Sequence, residues 1–195
     1  LGDVYKRQVA ARLNDFMAES AQRYPELVPF GTVYLGDPDP LAEARRCIED
    51  RGFLGLKLQP AVTREMPDDP RMFPVYELLE AHGKIVLCHS GSAPQGWMFD
   101  GPERLARILE RFPRLRFVVA HCGAIEYEGF ARVAEQYPNV YFDTAMIRVD
   151  TPGFAGNDPG AAFFEHFTRR ILYGSDFPNI PYDYAEQAAG IRSLA

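Results

Sequence analysis

The sequence contains no uninterrupted apolar run of the ~18 residues that a helix needs to cross a bilayer, so no membrane span is expected. Its opening stretch, Leu1 to Gln8, is polar and has no apolar segment of the kind a secretory leader carries. There is no block of lysine or arginine, and the formal net charge is -6, which argues against nucleic acid or an anionic membrane as partner. Cysteine is sparse and odd in number. Cys47, Cys88 and Cys122 lack the spacing of a disulfide framework, so a reducing, cytoplasmic location is expected. Nowhere do glycines fall in the G-x-G-x-x-G spacing that announces a dinucleotide-binding sheet.

What is present suits one packed domain: the chain has 195 residues and 47% of them are hydrophobic, enough for a sizeable core. Residues 1–8 show no helical or strand period and do not begin with Met. They are expected to be non-native, cut short or disordered, leaving a single domain over 9–195. Apolar spacing predicts helices over 9–24, 41–51, 72–82, 102–112, 125–136, 161–168 and 182–195. Gly52 and Gly83 stand where two of them should stop, and Pro102 where one should start. Between the helices, short apolar runs predict strands over 30–35, 53–58, 84–88, 116–120, 140–144 and from 170 toward Asp176.

Strict alternation of strands and helices implies a parallel sheet with helical crossovers. The pitch is regular: Lys57, His89 and His121 follow one another at intervals of 32 residues, and Thr144 and Asp176 repeat that interval. Three runs end in chemistry. Lys84 to Cys88 leads into His89, Arg116 to Ala120 into His121, and Arg170 to Ser175 into Asp176. A (β/α)₈ barrel places its reactive groups on one face, at the C-terminal ends of several strands, and needs about 250 residues. The fold class expected is therefore α/β, an incomplete (β/α)₈ TIM barrel with about six of eight strands.

Two imidazoles and a carboxylate at matching strand ends make a nitrogen and oxygen set suited to a divalent metal such as zinc, whose bound water becomes acidic enough to attack. A histidine beside a strand is also commonly just a hydrogen-bonded core residue; it is the recurrence at three strand ends that favours function. Cys88 and Cys122, next to the histidines, should point to the opposite face and act as small apolar residues. Lys57 is a candidate to hold a substrate carboxylate, with a salt bridge to a neighbouring acid as the competing reading. Arg148 is a candidate anion clamp, with a solvated arginine as its alternative. Trp97, with Met98 and Phe99, is a candidate to line or cover the pocket or simply to pack the loop. Of Asp143 and Thr144, only one can face the interior. His82 belongs at a helix C-terminus, and His166, among Phe163, Phe164 and Phe167, should pack outside.

Five stretches, Gly52 to Leu58, Val86 to Gly91, Phe117 to Gly123, Asn139 to Thr144 and Ile171 to Pro178, together resemble the amidohydrolase-related proteins, the "amidohydrolase 2" group that includes aminocarboxymuconate-semialdehyde decarboxylase-like enzymes. The resemblance runs from about Leu27 to Pro181. It implies a distorted barrel with one divalent metal, usually zinc. It further implies that His89 is a metal ligand, that Asp176 is a ligand or the proton carrier for metal-bound water, and that His121 polarises the substrate or shuttles a proton. The family's first strand carries a His-x-His pair, and this sequence has none. The implied activity is metal-dependent hydrolysis of a small carboxylate-bearing substrate; non-oxidative decarboxylation and a catalytically incomplete barrel fragment are the alternatives. Open sheet edges would favour a homo-oligomer.

Overall fold

The structure, a computed structural model, describes residues 9–92, 100–149, 157–178 and 180–193. Six strands form a single sheet in sequential order: β1 Phe30–Gly31, β2 Gly55–Leu58, β3 Ile85–Cys88, β4 Arg116–Val119, β5 Val140–Asp143 and β6 Ile171–Leu172. Every neighbouring pair is parallel. Eight helices accompany them among the described residues: α1 Val9–Arg23, α2 Pro40–Arg45, α3 Pro60–Thr63, α4 Phe73–Ala81, α5 Pro102–Arg111, α6 Tyr127–Gln136, α7 Ala161–His166 and α8 Tyr184–Arg192. Sequential parallel order with helical crossovers is the arrangement of a barrel wall, here of six staves, and β1 and β6 stand at its two edges.

Local chemistry explains where these elements start and stop. The Asp39 carboxylate accepts the amide of Ala42 at 2.9 Å to open α2, and Asp183 accepts that of Ala185 at 2.8 Å to open α8. Proline occupies the first turn of α2, α3, α4 and α5, where its missing N–H costs nothing. After α4 the chain turns at Gly83, whose φ of 59° lies in the region that glycine enters without steric cost.

Strand register sorts the side chains onto two faces. Leu56, Val86, Phe117 and Val140 form one layer, and Leu58, Cys88, Val119 and Phe142 a second. All eight are buried against the helices and belong to one apolar core. At about 1.5–3 kcal/mol for each fully buried large side chain, these two layers are the main attraction between sheet and helices. Phe142 continues them into α7, with its ring 4.9 Å from Phe163 and 5.0 Å from Phe167. The opposite face, which a closed barrel would enclose, carries Lys57, Leu87, Val118 and Tyr141 in one layer. Cys88 and Cys122 lie in the core, away from that face.

Four elements depart from the sequence expectations, one of them α3, a single turn at Pro60–Thr63 where no helix is expected. The strand expected over 30–35 shortens to Phe30–Gly31, because Asn14 of α1 takes over the hydrogen bonds of Thr32: its Oδ1 accepts the Thr32 amide at 2.8 Å, and its Nδ2 donates to the Thr32 carbonyl at 2.8 Å. The last strand stops at Leu172, since the amide of Gly174 donates to Thr144 Oγ1 at 3.2 Å instead of continuing the ladder. The helix expected from Ile125 begins at Tyr127, after a tight segment over Ala120–Glu126.

Candidate active site

His89 is carried by β3. Its amide donates to the Leu58 carbonyl at 3.0 Å, extending the β2–β3 pairing by one residue, and alternation from Leu87 puts its side chain on the interior face. His121 arrives differently. Just past β4 the backbone turns left-handed over four consecutive residues, with φ of 58° at His121, 49° at Cys122, 84° at Gly123 and 50° at Ala124. Each non-glycine residue there costs on the order of 1–3 kcal/mol, and such a turn persists only where its surroundings hold it. Close packing is one such hold. Gly91, after β3, approaches the Gly123 carbonyl so nearly that a Cβ on Gly91 would collide with it. Asp143 Oδ1 also accepts the amides of His121 at 2.9 Å and of Ala145 at 3.0 Å.

The turn brings the two imidazoles together. His121 Nε2 lies 2.9 Å from His89 Nδ1, with the rings edge to face at 4.7 Å between centroids. His121 Nδ1 lies 3.1 Å from the Ala145 carbonyl oxygen. A carbonyl only accepts, so Nδ1 of His121 carries a proton. In neutral His121, Nε2 is then the acceptor, and Nδ1–H of His89 donates to it. That leaves Nε2 of His89 with a free lone pair. Both rings are buried. Burial, the neighbouring His121 and the Lys57 ammonium together push His89 down to about 3, so at neutral pH it is uncharged.

Lys57 sits half-buried on the interior face, close enough for its charge to act on His89 and on Asp100, and no ion pair to it is found among the described residues. Asp176 lies beyond β6 with a φ of 59° and is exposed. Burial first, and the charges of Asp176 and Asp143 after it, raise the Tyr182 hydroxyl above its ordinary value. The Tyr182 hydroxyl accepts the Met146 amide at 3.1 Å and donates to the Ser175 carbonyl at 3.2 Å. Arg148 is paired with Asp158 at 3.1 Å. Trp97 lies outside the described residues. His82 caps the end of α4, 3.2 Å from Glu49, and His166 is exposed beside Phe167.

The structure thus joins His89 and His121 directly and places Lys57 near them, while Asp176 stands four residues beyond the edge strand. Two buried polar groups in the neighbourhood escape sequence reasoning. Gln59 occupies the rim position beside His89, with a buried and unpartnered Oε1; its position one step past β2 was the available signal. Asp100, buried with an unpartnered Oδ2, is raised to about 7, first by burial and then by Glu126. Nothing in the sequence marks it.

A metal needs several donors at once. Nε2 of His89 is one free nitrogen, but among the described residues no three of His, Cys, Asp and Glu gather closely enough to hold an ion. One of the two histidine contacts is spent on the other ring. The described residues alone therefore do not fit a complete metal site.

Comparison with known proteins gives a consistent result. A family model described as "Amidohydrolase" matches residues 3–193. A 2-amino-3-carboxymuconate-6-semialdehyde decarboxylase of Dictyostelium discoideum is 27% identical, over 59% of this chain and 38% of that protein. An uncharacterized TIM-barrel protein of Bordetella bronchiseptica superimposes with a TM-score of 0.72 and 25% identity, covering 92% of this chain and 64% of that one. A 5-carboxyvanillate decarboxylase of Novosphingobium aromaticivorans, with bound manganese, superimposes with a TM-score of 0.66 and 20% identity, over 94% of this chain and 64% of that one. The chain spans less than two-thirds of the length of each of these three.

Proposed function

The chain belongs to the amidohydrolase family, and from that premise we propose that the protein containing it removes carbon dioxide non-oxidatively from a small unsaturated or aromatic carboxylic acid. Support comes from the similarity to the Dictyostelium decarboxylase and from one geometric observation: two buried imidazoles 2.9 Å apart, with their tautomers fixed from one end by a backbone carbonyl. Loss of carbon dioxide leaves the bonding electron pair on carbon, which must receive a proton. His89 is neutral at working pH and is a poor acid. The proton carrier is then His121 or Asp176. Lys57, on the same face, offers a cation to the substrate carboxylate. Hydrolysis is the second reading, favoured by the family description itself.

The family's chemistry depends on a divalent metal, which supplies electrostatic activation when bound. For the whole protein we propose one such ion, zinc as the sequence suggested or manganese as in the 5-carboxyvanillate decarboxylase, with His89 Nε2 among its donors and others from beyond the described residues. Arg148 and Trp97 stay as candidate substrate contacts; for Arg148 this requires release from Asp158.

The test uses the full-length protein, assayed for carbon dioxide release from a panel of aromatic and enoic acids and, in parallel, for cleavage of amides and lactones. Release of carbon dioxide that falls about 10²–10⁴-fold in His121→Asn or in Asp176→Asn, whichever carries the proton, is the expected result. Cleavage of a lactone or amide with no carbon dioxide release overturns decarboxylation in favour of hydrolysis.

A further inference from the structure

We infer that Asp143 is the positioning residue for His121: a single carboxylate oxygen anchors both the backbone that carries the ring and the residue whose carbonyl fixes the ring's tautomer. The inference rests on the reading of His121 as proton carrier. Three contacts form a closed circuit. Asp143 Oδ1 accepts His121 N–H at 2.9 Å and Ala145 N–H at 3.0 Å, and the Ala145 carbonyl accepts the proton on His121 Nδ1 at 3.1 Å. Neither the turn nor the ring can shift without breaking a bond to one of the other two residues. The main chain of Asp143 adds a fourth tie, since the Cys122 thiol donates to its carbonyl at 3.2 Å.

The sheet prepares this placement. Asp143 pairs with Leu172 in register and follows Tyr141 onto the interior face. Gly174, two residues beyond Leu172, leaves room for the carboxylate: a Cβ there would lie 3.1 Å from Asp143 Cγ and 3.2 Å from its Oδ1. The role is geometric. Two N–H groups need the two lone pairs of one oxygen, and a side-chain amide oxygen supplies these as well as a carboxylate does.

The experiment compares Asp143→Asn, Asp143→Glu and Asp143→Ala in the full-length protein. Two measurements are made: kcat and KM for carbon dioxide release, and the nitrogen-correlated proton resonance of His121 Nδ1–H. Asn keeps the resonance and leaves kcat close to the unsubstituted protein. Glu, which moves the oxygen by one methylene, lowers kcat about 10²-fold with little change in KM, the usual consequence of a 1 Å misplacement, and the resonance is lost to solvent exchange. Ala behaves as Glu does. If Ala does not fold, the Asn and Glu pair decides. Retention of kcat and of the resonance in Glu with loss of both in Asn would mean that charge, not geometry, is at work, and would overturn the inference. So would an unaltered resonance in Ala or in Glu. If the protein releases no carbon dioxide from any acid, the proposed function fails, while the resonance still decides the role of Asp143.

Discussion

The middle of the sheet and its last strand receive the same kind of sequence and end in different states. Val86 of β3, Val119 of β4 and Phe142 of β5 are each fully buried. Leu172 of β6 is 45% exposed, and Tyr173, Asp176 and Phe177 after it are exposed too. A middle strand has a neighbour on either side to set its register and helices to cover its outer layer. Among the described residues β6 pairs only with β5, for two residues, and no strand lies beyond it in the sheet. The candidate site groups follow suit: the rings of His89 and His121 touch, with 2.9 Å between His121 Nε2 and His89 Nδ1, while Asp176 is exposed. Position in the sheet, rather than local sequence, decides how firmly a side chain is placed.

The sharpest way to break this comparison is to remove one large side chain from each region. Phe142→Ala should cost about 3–5 kcal/mol, as for a fully enclosed phenylalanine, because its ring is packed by Phe163 and Phe167. Leu172→Ala should cost under ~1 kcal/mol, since nearly half its surface is already in water. Urea unfolding of both variants measures the gap. Equal losses would show that β6 is as fully packed as β5.

How much of this was legible in the sequence also divides along the same line. The six strands, their helical partners and the delivery of His89 were readable, because apolar runs ending in polar residues signal buried parallel strands whatever their surroundings. The burial of Cys88 followed from alternation, whereas that of Cys122 follows from the left-handed turn beyond β4. The length of β1 did not, since Asn14, 18 residues away from Thr32, takes the hydrogen bonds that a longer strand would use. The turn at His121 was hidden as well: of its four left-handed residues only Gly123 advertises the conformation. Whether Asp143 or Thr144 faces inward depended on register, and register is a property of two strands. The sequence resemblance suggested Asp176 as a ligand or as the proton carrier for metal-bound water, yet its distance from the histidines depends on an edge that local patterns do not describe.

A smaller effect is expected where the two regions are tied together. Gln187 of α8 is fully buried, and its Nε2 donates to the carbonyls of Thr144 at 2.8 Å and Gly174 at 3.1 Å, while its Oε1 accepts the Tyr173 hydroxyl at 3.0 Å. Gln187→Leu keeps the volume and strands those partners, so about 1–3 kcal/mol should be lost. The loss should be concentrated at the β6 end. Hydrogen exchange of the Gly174 amide, bonded to Thr144 Oγ1, should speed up while the β3 and β4 amides stay protected. Uniform acceleration throughout the sheet would mean that the edge is not a separate unit.

The smallest expected effect concerns pH and pits two groups in the well-ordered region against each other. Asp100 is raised to about 7 by burial and by Glu126. A carboxyl that binds its proton more tightly when folded contributes stability at low pH, and that contribution disappears as pH rises from about 4 to about 7. His89, lowered to about 3 by burial, His121 and Lys57, acts in the reverse sense: its contribution is present above about 6.5 and disappears as pH falls toward 3. In the same window the two slopes oppose each other, so the stability curve of the unsubstituted protein can look flat while both groups titrate. Asp100→Asn removes only one of them. The variant should be more stable by about 1 kcal/mol at pH 8, where the orphaned Oδ2 would otherwise be charged and unpaired, and the advantage should shrink to nothing near pH 4. The difference between the two urea midpoints as a function of pH isolates this term. A difference independent of pH would show that Asp100 is not the group that titrates.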